Sequence, residues 1–166
     1  MTSMISNIKL KDLDKNTKHL LSIFLITMGI GIFTGLYFVY LTTDMTPSGT
    51  MEQYRGSVTM NEDEIPDKFE KPIESMVMTT HDHVNMFAII SFLLGFVFYF
   101  NSMVNNKLKF FLLIEPYFSI LITFSSMWLM RFYHPFFVYI MMISASLMYS
   151  IWYIMIFTSL YELNKK

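Results

Sequence analysis

The sequence predicts an all-α protein. Four transmembrane helices form a bundle, both termini lie on the cytoplasmic side, and one ordered outer (periplasmic) loop joins the first two helices. Three observations carry this reading. Four long runs are apolar and, apart from Glu115, uncharged: residues 20–41, 84–104, 110–130 and 136–161. Each reaches the roughly 20 residues that a helix needs to cross a hydrocarbon core about 30 Å thick. The links between the second, third and fourth runs are short, which favours antiparallel neighbours in a bundle. Finally, the N-terminal segment, the 105–109 link and the C-terminus carry eight Lys, against four bases (Arg55, Lys68, Lys71 and Arg131) in the remaining flanks. An excess of bases marks the cytoplasmic side.

Composition agrees. Of 166 residues, 54% are hydrophobic, and the mean hydropathy is +0.44. A formal net charge of -1 gives no general attraction to nucleic acid. With no Cys in the chain, disulfides, thiolate metal sites and Cys nucleophiles are excluded. The 16 Met residues fit flexible filling of helix contacts, and also soft-metal ligation.

The elements follow in order. Residues 1–18 are a polar cytoplasmic segment with Lys9, Lys11, Lys15 and Lys18. The first span covers 19–42; it is too long for a signal peptide and has no small-x-small cleavage site after it. An outer loop covers 43–80, with eight acids against three bases and Pro47, Gly49, Gly56, Pro66 and Pro72. Two short amphipathic turns fit there, and Pro47 with Gly49 reads as one of them. Thr80 is expected to cap the second span, 81–104, with Asp82 in its first turn, where the helix dipole favours an anion. The third span is 108–131. Pro135 is placed to open the fourth, 135–161, and 162–166 form a cytoplasmic tail. The chain reads as a single membrane domain, in the inner membrane if the source is bacterial.

The chemistry-bearing residues gather at the outer face. His81, Asp82 and His83 stand at the mouth of the second span, and His134 lies in the outer turn between the third and fourth, with Arg131 beside it. Imidazoles suit zinc, copper and haem iron. His81, His83 and His134 are therefore candidate ligands of a b-type haem or a transition metal (copper or zinc). Asp82 is a further metal ligand, and Arg131 a partner for a haem propionate. Successive helical residues turn by about 100°, so His81 and His83 do not share a face, and the group reads equally as an interfacial helix start. Arg55 is expected to fold onto Asp82 or a ligand. The acidic run from Asn61 to Asp67 is expected to be a solvated stretch without calcium-loop spacing.

Glu115, followed by Pro116, is the intramembrane acid. A carboxyl at that depth is costly unless paired, protonated or wetted. It is expected to bond across to Tyr99, Tyr149, Tyr153 or Ser150, while Pro116 kinks the helix. It reads either as a proton relay or quinone contact, or as an interhelical hydrogen bond. Thr27, Gly31 and Gly35 recur every four residues on the first span and form a helix-packing stripe. There is no Gly-rich phosphate loop, Gly-x-Ser-x-Gly elbow or catalytic carboxylate pair, so soluble-enzyme chemistry is not indicated.

The stretch Thr46-Pro47-Ser48-Gly49, Tyr54-Arg55-Gly56, Pro72 to Met76, Thr80 to His83 and Gly95 resembles a set of poorly characterised bacterial four-helix membrane proteins. These carry an outer-loop Tyr-Arg-Gly and a Thr-His-x-His motif. The resemblance covers roughly residues 46–100. It implies that His81 and His83 belong to a family pattern and brings no established activity. Three functions are therefore open. One is an accessory subunit of a respiratory or electron-transfer assembly holding a haem or metal at its outer face. Another is a copper carrier using the same His with Met86 and Met130. The last is a structural partner subunit without cofactor. The expected partners are the lipid bilayer and other membrane subunits or a second copy, with no nucleic acid.

Overall fold

The computed structural model describes residues 8–59 and 65–165, and these are entirely helix and connecting turn. Five α-helices follow one another: α1 (Lys15–Thr43), α2 (Pro47–Arg55), α3 (Ile73–Tyr99), α4 (Asn106–Phe132) and α5 (Phe137–Leu163). All but α2 are long and apolar enough to cross a membrane. An even number of spans returns the chain to the side on which it began. That side is called the terminal end here, and the other, which carries α2, the loop end.

Local chemistry sets the helix ends. The Asp14 carboxylate accepts the backbone N–H groups of Asn16 and Thr17, so α1 begins at Lys15, four residues before the expected span. At its far end Asp44 and Met45 both take left-handed backbone, which reverses the chain. Thr46 then caps α2 through Gly49 N–H at 3.0 Å, and Pro47 occupies its first turn.

The expected start of the second span is corrected. α3 begins at Ile73, directly after Pro72, so Thr80 is not its cap and Asp82 is not in its first turn. Thr79 and Thr80 are accommodated inside the helix because their hydroxyls donate to the carbonyls of Ser75 and Met76. The helix also ends earlier, at Tyr99, leaving Phe100 to Val104 in the turn toward α4. Pro135 lies in the turn before α5 and does not open that helix. α4 runs through Pro116 as one helix.

The most extensive packing is between α4 and α5, and α3 lies against both. Trp152, fully buried, donates its indole N–H to the buried Ser91 hydroxyl at 3.0 Å, tying α5 to α3. Thr123 and Ser144 share a hydrogen bond of 2.8 Å between α4 and α5. In hydrocarbon such hydroxyls have no water to turn to, and these pairs are matched within the bundle. α1 is attached differently. It packs on α5 and α2, burying Leu25 and Ile32, and Tyr153 donates to the carbonyl of Gly29 at 3.2 Å. Most of its large side chains are exposed, as suits a helix in contact with lipid.

Candidate functional site at the loop end

α2 and the chain after it lie over the loop end. Two glycines make this possible. A Cβ at Gly49 would stand 2.1 Å from the Thr43 carbonyl oxygen, so α2 meets the end of α1 more closely than any side chain allows. Gly56 has φ +83° and sits against the backbone of Lys68, Phe69 and Glu70. The returning chain is then held by Ser57 N–H to Lys68 O at 2.9 Å and Lys71 N–H to Tyr54 O at 3.1 Å.

All four bases of this end are committed to the scaffold. Arg55 donates to the Met130 carbonyl at 3.0 Å and Lys68 to the Thr42 carbonyl at 3.1 Å, each covering the exposed carbonyl end of a helix. Lys71 donates to the Thr79 hydroxyl at 3.0 Å and lies 5.1 Å above the Tyr54 ring. Burial holds its ammonium below the usual lysine range, and burial pushes the Tyr54 phenol up. Arg131 pairs with Glu70 at 2.7 Å. The expectation that Arg55 folds onto Asp82 or a ligand is thus corrected: the α4 carbonyl end takes it.

The histidines are placed separately. His83 turns Nδ1 to the Thr79 carbonyl at 2.9 Å, which requires the N–H at Nδ1. Its ring rests 5.4 Å from Phe87 and 6.0 Å from Phe124. Asn85 approaches His81 Nδ1 at 3.4 Å, within α3 itself. His134 Nδ1 accepts the N–H of Phe136 at 3.1 Å, closing the turn into α5. Asp82 is exposed, as are all three rings. Among the described residues no group of three or more His, Asp or Glu converges on one point. The residues fit a multidentate metal or bis-histidine haem poorly. His134 spends its lone pair on a backbone N–H, and Arg131 is already neutralised by Glu70. Asn61 to Glu64 of the acidic run lie outside the described residues.

Glu115 bonds within its own helix. The Ser119 hydroxyl donates to its Oε1, and none of Tyr99, Tyr149, Tyr153 or Ser150 reaches it. The Thr27, Gly31 and Gly35 stripe is exposed, and a Cβ at either glycine meets nothing within 4 Å. The buried seam of α1 runs instead through Leu25, Gly29 and Ile32.

Two further features escaped sequence reasoning, one polar and one largely apolar. At the terminal end Asn101, fully buried, accepts from Met103 and Val104 N–H and donates to the Thr158 carbonyl at 3.1 Å. Glu162, also fully buried, accepts the N–H and hydroxyl of Ser102, each at 2.7 Å. The signal was an Asn-Ser pair just past an apolar run, a common turn composition. The second feature is a groove of about 580 Å³ between α3 and α4, lined by Thr80, Val84, Leu121, Phe124 and Trp128 among others.

Residues 44–166 match the model of a family described as a transmembrane helical domain. The chain belongs to that family. The match begins just after α1 ends, so this transmembrane helical domain comprises α2 to α5, with α1 outside it. No curated protein and no solved structure matches the chain.

Proposed function

We propose that this integral membrane protein is an accessory subunit of a larger membrane assembly, docked on a partner through the lipid-facing stripe of α1. The observation that carries the reading is the open space beyond Gly31 and Gly35 on a helix that meets its own bundle along a different seam. Small residues on an unfilled stripe let a second helix approach closely, where van der Waals packing is strongest. The excess of bases at the terminal end supports placing that end in the cytoplasm. The test uses the absence of Cys: Gly31→Cys gives the chain a single thiol. A thiol-reactive crosslinker in native membranes should join it to a heavier partner, and Gly35→Leu should abolish the product. A product of twice the chain mass makes the protein a homo-oligomer instead, and a monomer in every membrane tested removes the reading.

A second reading keeps a haem or metal ion, and its support is confined to His83. With Nδ1–H bonded to the Thr79 carbonyl, the lone pair of the neutral ring stands on Nε2, the usual state of a ligating histidine. The other ligand would come from a partner. A visible spectrum and metal analysis on gently purified protein decide it: a Soret band or stoichiometric copper or zinc that His83→Ala removes supports it, and neither pigment nor metal ends it.

A further inference from the structure

Glu115 lies six residues beyond Lys109 in α4, about 9 Å deeper along the helix at 1.5 Å per residue. It precedes Pro116, which has no N–H for the Leu112 carbonyl. Its two oxygens are treated unequally. Oε1 receives the Ser119 hydroxyl, while Oε2 is buried and receives no donor.

The elements around it offer no counter-charge. α3 brings Tyr99 at this end, with Glu74, His81, Asp82 and His83 toward the other. α5 brings Tyr149 and Tyr153, with Glu162 in its last turn already holding Ser102. Tyr153 donates to the Gly29 carbonyl. α2, with Glu52, Tyr54 and Arg55, sits at the opposite end. On α4 itself are Lys107, Lys109, Tyr117 and Arg131. Lys109 donates to the carbonyls of Tyr99 and Asn101, and Arg131 pairs with Glu70. A carboxylate with one donor and one bare oxygen in such surroundings is expensive, whereas the neutral acid leaves no charge to solvate.

We propose that Glu115, held by Ser119, is a proton-binding site inside the membrane. Its ligand is a proton, and its environment is that of a carboxylic acid open to lipophilic carboxyl reagents. The chemistry of such reagents supplies the test. The acid proton passes to a carbodiimide nitrogen, a carboxyl oxygen adds to the central carbon, and the acyl group shifts to nitrogen. The whole reagent is added and nothing leaves.

Full-length protein in lipid–detergent micelles is treated at neutral pH with dicyclohexylcarbodiimide and its peptides are read by mass spectrometry. Glu115 should carry the adduct, its labelling should slow as pH rises, and Glu115→Gln should abolish it. Label on exposed acids such as Glu70 with Glu115 unmodified overturns the proposal, as does labelling of Glu115 that pH does not change. The infrared spectrum of the unaltered protein gives an independent reading should Glu115→Gln misfold. A neutral-acid C=O band at pH 7, assigned by glutamate isotope labelling, supports the site, and carboxylate bands alone refute it.

Discussion

Trp128 in α4 donates its indole N–H to the Thr80 hydroxyl in α3 at 2.9 Å, and the Thr80 hydroxyl in turn donates to the Met76 carbonyl one turn back. A threonine that looks like a helix cap in the sequence therefore works in mid-helix as an acceptor between two spans. It also sets one wall of the groove between α3 and α4.

Thr80→Val keeps the shape of the side chain and removes the acceptor. The half-buried indole N–H then loses its partner, and the loss should be about 0.5–1.5 kcal/mol. Denaturant titration in micelles, followed by tryptophan fluorescence, measures it. Adding Trp128→Phe should cost much less in the Thr80→Val background than in the wild type, because the donor it removes is already unpaired.

The glycines should separate sharply. Gly49→Ala must push α2 off the Thr43 carbonyl, since its Cβ would lie 2.1 Å from that oxygen. It should expose the loop to protease and lower thermal stability. Gly31→Ala and Gly35→Ala meet open space and should leave the isolated protein's stability unchanged or slightly raised, as a helix prefers Ala. Equal losses at all three positions would contradict this placement.

Asn101→Ala strands the N–H groups of Met103 and Val104 and removes the side-chain donor to the Thr158 carbonyl. An unmatched buried group costs about 1–3 kcal/mol, so this change should rank among the most damaging polar substitutions. Amide hydrogen exchange at residues 100–105 should rise with it.

Hydrogen bonds from the Thr17 hydroxyl and backbone, and from the Asn16 backbone, hold the Asp14 carboxyl below its usual value of 3.8. A lowered acid contributes stability that is fully present above 3.8 and is lost as pH falls through the folded-state value. The first turn of α1 should therefore fray below pH 3.8, seen as faster exchange of the Asn16 and Thr17 amides. Asp14→Ala should show that fraying at neutral pH and no acid transition.

The four spans were legible because charge is so costly in hydrocarbon that long uncharged runs have few other uses. The ends of α3 were misjudged for an equally physical reason. Threonine competes for caps in sequence, yet inside a helix it can return its hydroxyl to the carbonyl four residues back, as Thr79 and Thr80 both do. The histidines were expected at one membrane depth. The early start of α3 overturns this: His83 packs against Phe124, about 12 Å at 1.5 Å per residue before α4 ends at Phe132, whereas His134 lies beyond that end. His81, His83 and His134 therefore differ in depth, and each is bonded locally.

The sequence by itself determined that the chain has four spans and which end carries the excess of bases, since hydropathy and charge act residue by residue. Only the tertiary structure decided what the polar groups do. It committed the four loop-end bases to carbonyl ends, Thr79 and Glu70, and buried Asn101 and Glu162 under the terminal end. It also left the Gly31–Gly35 stripe facing outward and Glu115 with one oxygen bare. Those outcomes depend on which helix faces which, and that is settled by side chains packing against partners far away in the chain.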